Sequence, residues 1–436
     1  MRRRRLTTLI IGLRHDPLFT VARPLRQDGD KSRLVGGCRN RSSAELFSLC
    51  CSMFRSRYGA PECRVTVLGA VDVRRRRYCV PACSSDKKAF TELLFRMAMP
   101  IYTVLGPIAP TELGTTSMHE HLLIDGRVWF EPAREPSPEP PTVSIENLGF
   151  VHWNLVSLED NLVIDDVDLA VHELNYLATI PNAGLVDLTN IGLGRRIGDL
   201  AAISERSGVH VMSGCGFYVH DSHPDFVEQW SIDQLAELLI SELRDGVENS
   251  GIKAALIGEI GTSSPVTQRE KKVLAAAGTA AVETQASVSI HLEPRGTEAL
   301  AVLDVLLDQG ISPDRVIMGH LDEHLDKGYH AEVAQSGVAM AFDTFGSDFY
   351  FSGLFKDPTD LERIDHLMPL LGEGHAEQLV LACDVWTKAN LKSYGGFGYD
   401  HLHRRILPLL RDEYGVTDET ITQMMVENPR RLLDRP

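Results

Sequence analysis

No run of apolar residues in this 436-residue chain approaches the roughly 18 needed to cross a bilayer, so no membrane-spanning helix and no membrane partner are expected. Cysteine is scarce in the body of the chain. Of 8 in all, only Cys215 and Cys383 lie beyond residue 98, which excludes a disulfide framework there and fits a reducing, cytoplasmic setting. Basic residues are scarce there too. Residues 1–98 hold 21 Lys and Arg against 8 Asp and Glu, a charge of +13, which leaves 23 against 52, or −29, for the rest. A body that acidic lacks the basic face that polyanion binding requires. Nucleic acid is therefore excluded as a partner, and a small-molecule substrate is expected.

The first 98 residues lack sustained periodicity of either kind, with MRRRR at the start and RRRR at 74–77. The apolar run Leu6–Leu13 is interrupted by Thr7, Thr8 and Gly12 and followed by Arg14-His15-Asp16, which is not a signal-peptide pattern. Six cysteines lie here without a single C-x-x-C pair, so the signature of a zinc module is missing as well. Arg- and Cys-rich text without pattern is expected of translated upstream DNA, with Met97 or Met99 as a natural start. A disordered basic arm or a small domain are the alternatives.

What the body does contain is alternation. Eight short apolar runs are separated by amphipathic stretches: 117–123, 184–190, 209–217, 254–261, 288–293, 316–322, 338–345 and 379–385. Helices are expected over 165–180, 232–251, 270–284 and 298–309. Eight strands apolar on both faces, with helices between them, predict a (β/α)₈ TIM barrel over 99–436 rather than an open sheet. Residues 130–161, with EPAREPSPEPP, form an irregular insertion after the first strand, on the face where active-site loops sit, and are placed to cap the site.

His119-Glu120-His121 ends the first strand, where alternate residues share a side, so both imidazoles face the barrel axis while Glu120 points away. Alone, H-x-H is a weak signal. It gains weight because Glu259 in LIGEIG, His291 in VSIHLE, His320 in VIMGHLD and Asp384 in LVLACDV also end predicted strands, the rim from which barrel enzymes draw their catalytic groups. Four imidazoles and two carboxylates on one rim predict a binuclear metal site at the C-terminal face, most suited to Zn²⁺, with Mn²⁺, Fe²⁺, Co²⁺ or Ni²⁺ as alternatives. Glu259 is the natural bridge and Asp384 the general base for a metal-bridging hydroxide.

GPIAPTELGTTSMHEHLL and IGEIGTSSPVTQREKKVL resemble the two signatures of the phosphotriesterase family of the amidohydrolase superfamily, and the resemblance runs from about Leu105 to VENPRRLL. It implies that His119, His121 and Asp384 hold the more buried ion, His291 and His320 the more exposed one, and that the fourth-strand residue bridges them. That residue is a carboxylated lysine in the phosphotriesterases and lactonases. Glu259 here resembles the phosphotriesterase-related branch, as do FDTFGSDFY and LKSYGGFGYDHLHRRILP. Thr344 follows Asp343 where phosphotriester hydrolases carry a histidine. The resemblance therefore implies hydrolysis of a lactone, ester or N-acyl amide, with phosphotriester hydrolysis and a non-catalytic binding barrel as alternatives, and it allows a homodimer.

Weaker candidates surround this set. Arg295 can pair with a substrate anion or with a neighbouring acid. Tyr218 and Trp386 can wall the pocket or pack under the loops. Asp322 and Glu323 can orient ligands or relay protons. His324, His330, His401 and His403 end no strand and are expected on helices or the surface.

Overall fold

A computed structural model of the chain describes residues 67–73, 76–81 and 99–436. The chain divides into two units, Met1–Phe90 and Thr91–Pro436. In the first, the strands Val67–Val73 and Arg76–Pro81 pair antiparallel, with Val71 opposite Tyr78. The other expectations for 1–98 lie outside the described residues. Among the described residues no helix is long and apolar enough to cross a membrane.

The second unit is the expected barrel. Its strands are β1 (Thr116–Glu120), β2 (Gly184–Asp187), β3 (His210–Cys215), β4 (Leu256–Gly261), β5 (Val288–His291), β6 (Val316–Met318), β7 (Ala339–Phe342) and β8 (Leu379–Leu381). Each pairs in parallel with its neighbour in sequence. The ring closes just beyond the ends of β1 and β8, where the Asp384 N–H donates to the His119 carbonyl at 3.1 Å and the His121 N–H to the Val385 carbonyl at 3.2 Å.

Period-2 alternation sorts the apolar side chains into two layers. Val186, Met212, Ile317, Ala341 and Val380 fill the interior, where Ile101, Leu113, Leu432 and Leu433 join them. Leu185, Val211, Met318, Phe342 and Leu381 point outward to the helices. These helices are α1 (Val167–Leu177), α2 (Ile197–Ser207), α3 (Ile232–Arg244), α4 (Gln268–Thr284), α5 (Ala299–Leu307), α6 (Lys327–Gln335), α7 (Asp360–Gly372) and α8 (Leu407–Asp412). Local chemistry starts several of them: Ser231 with Gln234, Thr267 with Glu270 and Thr359 with Glu362 form reciprocal caps.

The strands end earlier than their apolar runs. Ladder pairing on β6 and β8 stops at Met318 and Leu381, ahead of the ligand candidates His320 and Asp384, which both take left-handed backbone, φ +56° and +46°. Such backbone in non-glycine residues is concentrated at functional sites. α1 and α3 are likewise shorter than the expected 165–180 and 232–251.

The insertion has a small core of its own. Val143, Val151, Leu155, Leu158 and Leu162 pack with Phe349 and Ala389 from the loops after β7 and β8. Lys388 binds Asp160 at 2.6 Å, and the Leu155 N–H donates to the Tyr350 carbonyl at 3.0 Å. The insertion is thus fastened to two other rim loops, and its Glu131 and Val156 line the pocket beneath.

Candidate metal centre

His119 and His121 extend from β1 as alternation requires, and both Nε2 atoms face Glu259. His119 Nε2 lies 3.4 Å from Oε2 and His121 Nε2 3.4 Å from Oε1. Oε2 of the same carboxylate also meets His291 Nδ1 at 3.3 Å and His320 Nε2 at 3.9 Å. Asp384 Oδ1 completes the first cluster, 3.6 Å from His119 Nε2 and 3.3 Å from His121 Nε2. All six sequence-derived ligand candidates therefore converge: Glu259 is common to a group with His119 and His121 and a group with His291 and His320, and Asp384 lies beside the first.

The spacing itself can be tested against a metal. Ligands on a tetrahedral Zn²⁺ at about 2.0–2.1 Å are separated by about 3.3 Å, the edge of the tetrahedron. Four of the six contacts just given lie at 3.3–3.4 Å, and the other two at 3.6 and 3.9 Å. His119 Nε2, Glu259 Oε2 and Asp384 Oδ1 are buried and have no hydrogen-bond partner, which is costly unless a cation satisfies them. The side chains fit a pair of divalent ions.

Charge tells the same story. Burial alone would lower the His119 imidazole, yet Glu259 and Asp384 hold it well above its ordinary range. Burial alone would raise Glu259, yet His119 and its neighbours hold it well below. His119 and His320 are thus held towards the charged form by the carboxylates around them, positive charge that a divalent ion would supply in their place.

The imidazoles are oriented from behind. Asp343, at the end of β7, sits with Oδ2 2.9 Å from His119 Nδ1 and Oδ1 3.2 Å from His320 Nδ1, and Oδ1 also accepts the His320 N–H at 2.9 Å. One carboxylate thus fixes two ligands, one in each cluster, leaving both Nε2 atoms as electron-pair donors. The sequence points to Asp322 and Glu323 for this role and does not single out Asp343. Its signal was available, since Asp343 ends the seventh predicted strand as the ligands end theirs. Asp322 instead accepts from the Thr344 N–H at 3.0 Å and lies 3.2 Å from Arg363 Nε, away from the ligands. Thr189 Oγ1 meets His121 Nδ1 at 2.9 Å.

Glu120, expected to point away from the axis, closes the barrel. It accepts from Ser117 Oγ at 2.6 Å and from the N–H groups of Cys383 and Val385 at 3.0 and 2.9 Å, and burial pushes its carboxyl up to about 7.

Above the ligands lies a cavity of about 140 Å³, walled by Trp129, Tyr218, Phe351, Leu354, Phe355 and Trp386. Tyr218 and Trp386 are therefore pocket walls. The Tyr218 hydroxyl receives the Trp129 indole N–H at 2.9 Å and lies 3.3 Å from His291 Nδ1. Arg295 lines the mouth, 65% exposed, with Nε and Nη2 spent on Glu293 Oε1 at 3.0 and 2.9 Å. Glu323 lines the pocket too, its carboxyl raised by burial and by nearby Asp357. His330 and His401 lie in helical segments, as expected, but neither is on the surface. His330 on α6 and His401 before α8 are buried, 1% and 2% exposed, because His330 bonds the Leu321 carbonyl and His401 bonds Asp360.

Comparison with known proteins places these observations in a family. The model described as "Phosphotriesterase family" matches residues 99–433. The N-acetyltaurine hydrolase of Rattus norvegicus is 34% identical over 343 residues, spanning 76% of this chain and 97% of that protein. Among solved structures, a resiniferatoxin-binding protein from Rhodobacter sphaeroides aligns with a TM-score of 0.74 at 35% identity, over 77% of this chain and 95% of that one. A lactonase from Listeria monocytogenes aligns with a TM-score of 0.64 at 26% identity, over 77% and 99%.

Proposed function

Because the chain belongs to the phosphotriesterase family and is a metal-dependent hydrolase, we propose that it cleaves the amide bond of small N-acyl compounds. The observation that carries this is Glu259, whose carboxylate is shared by four imidazoles, His121 at Oε1 and His119, His291 and His320 at Oε2, in a chain whose relatives, matched over 97% of their own length, include N-acetyltaurine hydrolases. Two divalent ions, Zn²⁺ by the donor set, supply an activated water and polarise the scissile carbonyl when bound.

The chain's own groups do the rest. His119, His121 and Asp384 would hold one ion, His291 and His320 the other, with Glu259 between them. Asp384 Oδ1 faces His119 and His121, and its carboxylate takes up the proton released as water attacks the carbonyl. Tyr218 and Trp129 wall the acyl group and exclude water. Arg295 has Nη1 left for an anionic end of the substrate, its other donors being held by Glu293. Thr344 is engaged with Asp322 and Arg363, so no histidine relay stands where a phosphotriester hydrolase carries one.

The test is a turnover panel of Zn²⁺- and Mn²⁺-loaded protein on N-acyl amino compounds, lactones and paraoxon-like triesters, with Asp384→Asn alongside. N-acyl compounds should give the highest kcat/KM, and Asp384→Asn should lose about 10²–10⁴-fold in kcat while still holding metal. Faster turnover of triesters, or an active Asp384→Asn protein, would refute the reading.

A further inference from the structure

The pocket is apolar on most walls, but one corner, beyond the ends of β6 and β7, is polar. It is made by Glu323, Thr344, Ser347 and Asp357. Asp357 is 3% exposed, and its Oδ2 accepts from Ser347 Oγ at 3.1 Å. Its Oδ1 is buried on the pocket wall and has no hydrogen-bond partner. A buried carboxylate oxygen left unpaired is unfavourable, so a donor from a ligand is the natural complement.

Among the described residues no cation hydrogen-bonds that oxygen. Arg363 gives its Nε to Thr344 Oγ1 at 2.9 Å and lies near Asp322 and Asp360. Lys356 donates to the Asp357 backbone carbonyl at 2.9 Å rather than to its carboxylate. Two cations thus stand among four carboxylates: Asp322, Glu323, Asp357 and Asp360, the last of which also binds His401. Burial pushes the Asp357 carboxyl up to about 7, against the opposing pull of Arg363, Ser347 and Lys356.

We propose that this corner is a subsite for a protonated nitrogen carried by the substrate away from its scissile bond, with Asp357 as the acceptor. Resting on the N-acyl reading above, this makes the accepted class N-acyl derivatives of amines that bear a second, positively charged nitrogen. Glu323 places a second carboxyl on the same corner of the pocket, and Ser347 holds Asp357 through Oδ2, which leaves Oδ1 without a donor.

Isothermal titration of the metal-loaded full chain tests this with two probes that cannot be hydrolysed: the mono-methanesulfonamide of putrescine and its neutral counterpart, N-butylmethanesulfonamide. The charged probe should bind at least about tenfold more tightly, the value of one charge-assisted hydrogen bond. Asp357→Asn should bring the two affinities towards parity. Glu323→Gln, at a less buried position, should reduce the ratio in the same direction and keeps the test open if Asp357→Asn does not fold. A wild-type ratio near one, or a ratio that survives both substitutions, overturns the proposal. Because neither probe turns over, an absence of amide hydrolysis counts against the N-acyl reading and leaves this subsite to be judged by affinity alone.

Discussion

Asp343→Asn is the sharpest perturbation of the centre, because it changes the charge and hydrogen bonding of a residue that the ions would not touch. The carboxylate accepts from two imidazoles and one backbone N–H at 2.9, 3.2 and 2.9 Å. An asparagine has one acceptor oxygen and one NH₂, so one imidazole then faces a donor. That imidazole must turn away or shift its proton to Nε2, and either change removes the electron pair that faces Glu259. A charge-assisted hydrogen bond contributes about 1.5–3 kcal/mol, and each 1.4 kcal/mol is about tenfold in affinity. Loss at one ligand of one cluster predicts metal binding weakened by about 10–100-fold, the usual span for an orienting partner. Competition with a chromophoric chelator, with bound metal counted by mass spectrometry and folding checked by circular dichroism, reads the change. Asp343→Asn protein that folds and holds two equivalents at wild-type affinity would show that the imidazoles need no such support.

Three further outcomes follow from other positions. Burial pushes the His403 imidazole down from 6.5 to about 4, so the unfolded chain takes up a proton there before the folded one does. Stability is then lost as pH falls from about 6.5 to about 4, by about 2–3 kcal/mol at most, and His403→Gln should flatten denaturation midpoints across that window; an unchanged slope would sink the assignment. A Cβ at Gly214 would meet the Gly258 carbonyl oxygen at 1.9 Å, so Gly214→Ala should cost more than about 3 kcal/mol in urea unfolding, and a wild-type midpoint would contradict the close approach of β3 to β4. Asp160→Ala removes the Lys388 contact and the acceptor of the Val143 N–H at 2.8 Å, and should raise KM severalfold with little change in kcat, whereas a pure kcat effect would place Asp160 in the chemistry rather than the cap.

The barrel was legible because its strands are buried on both faces, which writes each as a continuous apolar run. Where pairing ends was not legible. His320 and Asp384 adopt left-handed backbone at the rim, and nothing in VIMGHL or LVLACDV announces that the chain leaves the ladder before the ligand. The ligands were readable from residue type and strand-end placement together, since six such coincidences leave few other meanings. Asp343 shared the placement but stood alone in type, and its role depends on two histidines 224 and 23 residues away, a relation that only folding makes visible. The same holds for His330 and His401, whose polar neighbours in sequence conceal their burial. The core of the insertion escaped notice because Val143, Val151, Leu155 and Leu162 are spread through proline-rich and polar text.

Glu120, between two metal-facing histidines, receives backbone N–H groups from residues 263 and 265 positions later in the chain, the two that flank Asp384. The seam that turns a row of strands into a ring therefore runs through the reaction centre itself. Of the four residues proposed for the first ion, two come from the opening strand and the others from the fourth and the last, so a chain still emerging from synthesis would lack the full set. Competence arrives only with closure, and a ring cut at this seam should bury most of its core yet stay inert, whereas a cut on the opposite face leaves the donors in register.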